Sequence, residues 1–282
     1  MIDYDPSRNA LYHPALRPTV LCGGIALTPD ALCAECSRLA YLHFESDAAQ
    51  RQQLIDALAC ASLTQWAGFN DAATGSEAFA GIDRNTGAVL VAFRGTEPGD
   101  FTDLGTDIGV RPTPWTKGGN VHSGFAAAFQ GIRAEIERWM ERFGRGAPVT
   151  VTGHSLGAAL ATLAMSSWQV QRLVTFGCPR VGDKQFVATI DTRVCVRYVD
   201  CCDIVCTVPP LSPWYADTGP RHYIDRNGVV RDPISETEAS HDRENARIEY
   251  FLTYTGGRDN VVVRDLADHA PINYVRALLT NA

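Results

Sequence analysis

The chain has 282 residues, of which 45% are hydrophobic and 20% charged, and its formal net charge is -7. This composition is typical of a globular protein with one large core. Because no cluster of Lys and Arg occurs, we expect neither nucleic acid nor an anionic membrane held by charge as a partner. The sequence contains no linker, low-complexity run or repeat, so residues 1–282 are predicted to form a single domain.

The N-terminal segment and the cysteines predict a cytoplasmic protein, and secretion is the alternative if a leader has been removed. The segment is acidic and lacks the features of a signal peptide, and no run of about 18 apolar residues could span a membrane. The nine cysteines are an odd number, and Cys201 and Cys202 are adjacent, where a disulfide would be strained. We therefore expect reduced, mostly buried thiols. Cys33 and Cys36 form a single C-x-x-C pair, for which core packing is favoured over zinc or redox chemistry. No metal or cofactor is predicted.

The first third of the chain predicts two helices and then a hairpin. Residues 1–27 are interrupted by prolines and read as irregular. Thr28-Pro29-Asp30 is a helix start with a cap and a proline in the first turn, and the apolar face continues to Tyr41. A second helix is expected from Leu54 to Leu63. Residues 77–82 and 88–93 read as strands, joined by a turn at 83–87.

The middle of the chain alternates helices with strands. Ser123 is expected to cap an amphipathic helix that Gly144 ends. Strands are predicted at 149–152, 173–176 and 194–199, and a helix follows the first of them. This spacing predicts an α/β fold with a mostly parallel central sheet and helices on both faces, where ligands lie at the carboxyl ends of the strands. Beyond residue 212 the pattern weakens: 214–224 reads as an aromatic loop or edge hairpin, and 235–247 as a polar surface insertion with some helix.

The pentapeptide Gly153-His154-Ser155-Leu156-Gly157 lies between a predicted strand and a predicted helix. In this arrangement a sharp turn exposes the serine hydroxyl, and glycines on either side let the strand and the helix pass closely. The helix start directs N-H groups and the positive end of its dipole towards Ser155. The alternative is a Gly-Ser turn without chemistry. We favour Ser155 as a nucleophile because both flanking elements are present.

A serine nucleophile needs an imidazole base, and three histidines follow Ser155 in the chain. In this strand-turn-helix class the order is serine, acid, histidine. His222 lies in the aromatic segment and His241 among charged residues. His269 lies in a loop before an apolar C-terminal helix, from which it can reach the edge of the sheet. His269 is therefore the preferred base.

The acid that orients the imidazole is expected after the strand at 194–199. Asp200 and Asp203 both follow this strand and lie between the serine and the histidine in the chain. Either of them could instead cap the turn. Spacing alone leaves the choice between them open.

Several separated motifs resemble those of the class 3 lipases, the fungal-lipase-like branch of the α/β-hydrolases. They follow the family's order over about two-thirds of the chain, which is more specific than the pentapeptide alone. The matching segments are 74–81 with 89–96, 103–107, 121–125, 153–157, 176–182, 203–205 and 208–209.

The resemblance implies an α/β-hydrolase fold and a serine-dependent carboxylic ester hydrolase, a lipase acting on acylglycerols or related lipids. It implies that Asp203 is the triad acid with Ser155 and His269, and that Thr96 and Leu156 form the oxyanion hole. The expected partner is a lipid or small ester, with transient contact at a lipid interface. The sequence departs from the family at Ala158, where a second glycine is common, and at Asp217, where a histidine is common.

Two further expectations concern access and alternatives. Residues 97–120 are a candidate lid, because Phe101, Leu104 and Ile108 share a helical face and Trp115 is an aromatic suited to an interface. The alternative is an ordinary surface loop. The sequence is compatible with two other functions. The protein could be a hydrolase-fold binding protein without turnover, or an acyltransferase that uses the same site.

Overall fold

The computed structural model describes residues 2–24, 26–96 and 111–280. An eight-stranded sheet lies at its centre, in the order β1-β2-β3-β6-β7-β8-β9-β10. Neighbours from β3 to β9 are parallel, whereas β1, β2 and β10 are added antiparallel at the edges. The strands are β1 Leu63–Asp71, β2 Ser76–Asp83, β3 Val89–Phe93, β4 Pro112–Pro114, β5 Asn120–His122, β6 Val149–His154, β7 Arg172–Phe176, β8 Cys195–Asp200, β9 Arg221–Ile224 and β10 Val230–Arg231, of which β4 and β5 form a separate hairpin.

Helices cover both faces of this sheet, as the sequence predicts. They are α1 Arg8–Tyr12, α2 Pro29–Leu39, α3 Ala48–Cys60, α4 Ser123–Phe143, α5 Leu156–Ser167, α6 Lys184–Val187, α7 Glu236–Tyr254, α8 Arg264–Ala267 and α9 Pro271–Thr280. Within the described residues, no helix combines the length and the apolar character needed to cross a lipid bilayer.

Alternation along β3 shows how one strand supplies two cores. Leu90 and Ala92 pack into the cluster under α2 and α9, while Val89, Val91 and Phe93 pack into the cluster under α4 and α5. Side chains of a strand point to opposite faces in turn, so an apolar strand such as β3 must be covered on both sides. The predicted hairpin is present, with Ala80 of β2 opposite Val91 of β3.

Two predictions near the N-terminal half are wrong. Leu63 begins β1 instead of ending a helix, and Ser62 and Gln65 take positive φ values of 59° and 49° beside a register shift in this strand. This irregularity hides the period of two that identifies a strand. At the start of α4 the cap is His122 instead of Ser123, since the His122 ring accepts from the Phe125 N-H.

The polar segment after residue 235 is a regular helix of 19 residues, α7. Ser235 and Glu238 form a capping box at its start, a sequence signal that the polar composition obscured. Ala239, Ala246 and Tyr250 are its buried positions. The segment at 214–224 ends in β9, which pairs with β8, and β10 completes the edge hairpin.

The expectation that the thiols are reduced is wrong for one pair. Cys22 and Cys60 form a disulfide that joins the segment before α2 to the end of α3. Seven other cysteines are free and buried. Cys33 and Cys36 lie in the core on α2, which is the packing role the sequence favoured.

Candidate active site

Ser155 stands at the tip of a sharp turn between β6 and α5. Its backbone has φ 58° and ψ -126°, a conformation that a residue with a side chain rarely adopts. The Ser155 N-H donates to the Phe176 carbonyl at 3.0 Å, which fixes the turn to β7. The side chain is fully buried, and its Oγ makes no hydrogen bond to the described residues. The turn therefore holds a strained serine whose hydroxyl the described structure leaves uncommitted.

The two glycines of the pentapeptide allow β6, α5 and β3 to meet. A Cβ on Gly153 would lie 2.7 Å from the Ala158 nitrogen and would overlap the Gly157 carbonyl. A Cβ on Gly157 would lie 2.8 Å from the Phe93 carbonyl carbon. Neither separation can hold a methyl group, so any larger residue would push the helix away from the strands.

Asp203 and His269 are brought together from the loop after β8 and from the three residues between α8 and α9. His269 Nδ1 lies 2.8 Å from Asp203 Oδ2 and 3.0 Å from Oδ1, and both residues are buried. Because a carboxylate only accepts, Nδ1 carries a proton, and in the neutral form of the ring the lone pair is on Nε2. This is the tautomer that a general base needs.

The Asp203 carboxylate is held ionised in spite of its burial. Burial alone would raise the pKa of Asp203, but the charge of His269 and hydrogen bonds from His269 and Tyr274 bring it below its ordinary value. Tyr274 OH donates to Oδ2 at 2.6 Å, and the Val205 N-H donates to Oδ1 at 2.9 Å. Each oxygen thus has a donor besides the imidazole.

The other candidates lie elsewhere. His222 pairs with Asp232 at 2.8 Å on β9, and His241 is exposed on α7. Asp200 ends β8, and its N-H donates to Tyr274 OH at 3.1 Å. Burial, with the charge of Asp268, raises the pKa of Asp200 well above its ordinary value. Asp203 is therefore the carboxylate that contacts His269. His222 and His241 make no hydrogen bond with Asp203 in the described part of the chain.

His154 has a positioning contact that the sequence did not reveal. Its Nε2-H donates to the backbone carbonyl of His269 at 2.7 Å, and its Nδ1 accepts from Tyr41 OH at 2.8 Å. Burial, followed by the charge of His269, lowers the pKa of His154 well below its ordinary value, so the ring is neutral. The residue before the serine thus holds the backbone of the candidate base.

Thr96 follows β3, the strand next to β6, and Leu156 follows Ser155 directly in the chain. β3 pairs with β6 so that Phe93 lies opposite Gly153, and Thr96 follows three residues later, half-buried. A Cβ on Gly95 would lie 2.7 Å from the His154 carbonyl oxygen, so this loop passes directly against the serine turn. Leu156 is the first residue of α5, where N-H groups have no partner within the helix.

The candidate lid, residues 97–120, is described only from residue 111 onwards. Residues 97–110, with Phe101, Leu104 and Ile108, lie outside the described residues. Trp115 is described and buried, and its Nε1-H donates to Ser166 Oγ at 2.7 Å. The expectation that Trp115 serves as an interfacial aromatic is therefore wrong, because its ring is a core anchor between β4 and α5.

Comparison with known sequences gives a family match over the segment that carries the serine and the acid. The sequence model of Lipase (class 3) matches residues 90–212. A secreted mono- and diacylglycerol lipase 1 of Fusarium solani is 29% identical over 168 residues, covering 56% of this chain and 50% of its own. A phospholipase A1-II 3 of Oryza sativa subsp. indica is 28% identical over 203 residues, covering 56% and 48%. The chain thus spans about half the length of these curated relatives.

Solved structures share the fold. A lipase from Rhizopus microsporus var. chinensis has a TM-score of 0.56 at 24% identity, covering 79% of this chain and 83% of its own. A triacylglycerol lipase, described as having a catalytic centre formed by a serine protease triad, has a TM-score of 0.55 at 19% identity and covers 93% and 91%. The chain has the α/β-hydrolase fold that the sequence predicts.

Proposed function

Because the sequence model of Lipase (class 3) matches residues 90–212, we propose that the chain is a class 3 lipase, a serine-dependent carboxylic ester hydrolase acting on acylglycerols or related lipids. The observation that carries the proposal is the buried pair of His269 Nδ1 and Asp203 Oδ2, 2.8 Å apart, at the sheet edge that bears Ser155. A neutral imidazole with Nδ1 protonated is ready to accept a proton at Nε2.

In the proposed reaction, His269 accepts the proton of Ser155 as Oγ attacks the ester carbonyl carbon. Asp203 stabilises the imidazolium, and the N-H groups of Thr96 and Leu156 bind the oxyanion. The protonated His269 then donates to the leaving alcohol, which gives an acyl-enzyme at Ser155. Water, deprotonated by His269, releases the acid by the same steps. Tyr274 and His154 are positioning residues, since they act through Asp203 and His269.

Burial of Ser155 bears on how an ester reaches the site. Its side chain has no solvent exposure, so atoms that cover it must move before an acyl group enters. We propose that residues within 97–120 act as a lid. Activity is then expected to rise sharply once a lipid substrate exceeds its solubility, because a lipid interface would favour the open state.

The proposed substrate class is as broad as the names of the relatives allow. The relatives are named as mono- and diacylglycerol lipase and phospholipase A1. We propose a lipid or small ester as the substrate, with transient contact at a lipid interface and no nucleic acid partner. The cytoplasmic location stays a prediction: seven buried free thiols support it, whereas the Cys22–Cys60 disulfide is typical of an oxidising compartment.

Replacement of the serine tests the proposal directly. We expect Ser155→Ala to lose nearly all hydrolysis of a p-nitrophenyl ester, by about 10⁴-fold or more. A fluorophosphonate probe should label the wild type and a Ser46→Ala control, in which an exposed serine is replaced, but not Ser155→Ala. Full turnover by Ser155→Ala would contradict the proposal. Labelling without turnover of any ester in water would favour acyl transfer to an alcohol, and no labelling would favour a binding protein.

A further inference from the structure

A basic cavity of about 350 Å³ lies beside the loop that carries Asp203. Asp203 and the neighbouring thiols of Cys201 and Cys202 form one wall. The feature that distinguishes the cavity is its set of arginines, and we call it the arginine pocket. Its arginines are Arg180, Arg197, Arg221, Arg243 and Arg247. The chain carries a net charge of -7, so this concentration of positive charge is local.

Acidic side chains neutralise the rim of the arginine pocket only in part. Asp217 is shared, since it lies 2.8 Å from Arg180 Nε and 3.9 Å from an Arg197 nitrogen. Glu236 is shared in the same way by Arg221 and Arg243. Arg247 pairs with Asp265 at 2.7 Å.

Five guanidinium groups therefore meet three carboxylates. Asp203, on the wall, is already bonded to His269 and Tyr274. Even with Asp203 included, the arginines are in excess. The pocket is thus suited to an anion, and planar guanidinium groups favour the oxygens of phosphate or carboxylate.

Arg197 is the least satisfied of these cations. It projects from β8, it is 9% exposed, and its Nε makes no hydrogen bond to the described residues. Its contact with Asp217, at 3.9 Å, is longer than a hydrogen bond. A buried guanidinium without close acceptors is costly, so an arginine of this kind in the lining of a cavity is suited to an anionic ligand.

Exposed apolar side chains stand next to this charge. Leu211 lines the pocket and is 65% exposed, and Trp214, three residues later in the same loop, is 53% exposed. Ile204 lines the pocket and is also exposed. A free anion gains nothing from such neighbours, whereas a phosphate attached to acyl chains brings apolar surface to the rim.

We propose that the arginine pocket binds a phosphate group carried by a lipid headgroup, with Arg197 as its central ligand. The phosphate accepts from guanidinium N-H groups, while Leu211 and Trp214 contact the lipid beside it. The site is separate from Ser155, and binding there does not require ester hydrolysis. It holds the protein on a phosphate-bearing surface next to the loop of Asp203. This proposal departs from the expectation that no anionic membrane is a partner, because the five arginines are spread over residues 180–247 of the sequence and meet only in the fold.

The first arm of the test uses inorganic phosphate and thermal unfolding at constant ionic strength. Phosphate should raise the Tm of the wild type more than chloride does, because a ligand of the folded state stabilises it. Arg197→Met should weaken phosphate binding roughly 10- to 100-fold. Arg243→Gln, on the surface helix α7, serves as a second variant if Arg197→Met folds poorly. Arg138→Gln removes a charge from an exposed arginine of α4 and should bind as the wild type does.

The second arm distinguishes a lipid headgroup from free phosphate. Sedimentation with phosphatidylcholine vesicles, with and without phosphatidic acid, is measured in the Ser155→Ala background so that no lipid is consumed. Retention that needs phosphatidic acid and is lost with Arg197→Met supports the proposal. Phosphate binding without such retention overturns the lipid source and leaves a free-phosphate site. No specific effect of phosphate on the wild type, or equal effects on Arg197→Met, overturns the site itself.

Discussion

The Tyr274 hydroxyl connects three parts of the candidate site. It donates to Asp203 Oδ2 at 2.6 Å and accepts from the Asp200 N-H at 3.1 Å, so α9 is tied to the end of β8. The same helix begins just after His269. One hydroxyl thus fixes the candidate acid, Asp203, relative to β8 and to the helix that follows the candidate base, His269.

Replacement of Tyr274 by Phe should distinguish a role in positioning Asp203 from a role in stability alone. Loss of the hydroxyl leaves Asp203 with one donor fewer, and we expect kcat to fall roughly tenfold with little change in KM. Stability should fall by about 1–3 kcal/mol, because the Asp200 N-H loses this acceptor and Asp203 Oδ2 loses one of its two donors.

Tyr250→Phe is the matched control for this change. Its buried hydroxyl donates to the Val261 carbonyl at 2.7 Å, away from Asp203. This variant should lose stability in urea unfolding while its kcat stays at the wild-type value. Equal kcat values for the two variants would show that Tyr274 has a structural role only.

Individual residues of the site differ in how far the sequence identifies them. Ser155 is visible because a local pattern of strand, glycine, serine and helix describes its backbone. The choice of Asp203 over Asp200 needed the family resemblance. Local sequence could not show the contact between Asp203 and His269, because the two residues are 66 positions apart. The sequence did not identify Tyr274, Tyr41 and His154 as positioning residues. Their hydrogen bonds join elements that are distant in the sequence, and no local pattern distinguishes these residues from core residues.

The end of β7 illustrates how a whole element depends on one backbone conformation. Gly177 follows Phe176 with φ +59°, and a Cβ there would lie 2.8 Å from Asp203 Oδ2 and 2.9 Å from the His269 ring. A methyl group therefore meets both members of the acid-base pair. The conformation itself also favours glycine.

Gly177→Ala should cost both stability and activity. We expect a loss of about 1–3 kcal/mol from strain and overpacking, and at least a tenfold fall in kcat/KM because the acid-base pair is displaced. Gly75→Ala is the control, since Gly75 has φ +67° and open space around its Cβ position. This control should be less stable and fully active per folded molecule. A fully active Gly177→Ala variant would contradict the packing argument.

At the level of elements, periodicity identified those parts of the fold that are regular. The β2-β3 hairpin and the strands β6, β7 and β8 follow from apolar runs that both core clusters bury. β1 was missed because Ser62 and Gln65 take positive φ and break the alternation. α7 was underestimated because only a narrow stripe of it is buried, and most of its residues are polar.

Two buried neutral histidines link the stability of the whole molecule to pH. Burial, followed by the charge of His269, lowers the pKa of His154 well below its ordinary value, and burial lowers the pKa of His122 to about 4. In the unfolded chain both rings accept a proton below about pH 6.5. The unfolded state then binds more protons than the folded state, so stability falls as the pH falls.

Urea unfolding between pH 7 and pH 5 measures this effect. Each imidazole contributes a slope of at most about 1.4 kcal/mol per pH unit below about pH 6.5. His122→Gln should have a smaller slope than the wild type, and His241→Gln, at an exposed position of α7, should have the wild-type slope. A curve that is flat over this range would contradict the neutral state of both rings.

The Cys22–Cys60 disulfide joins two residues that are 38 apart in the sequence, and the loop between them contains α2 and nearly all of α3. α2 packs on β6 and α9, the elements that flank Ser155 and His269. In the chain-entropy account, closing a loop of this length lowers the entropy of the unfolded chain and raises the free energy of unfolding by about 4 kcal/mol. Recombinant material made in a reducing host would lack this constraint, although its mass would differ only by the hydrogens of one thiol pair. Preparations from different hosts should therefore be matched for oxidation state before their melting curves or turnover rates are compared.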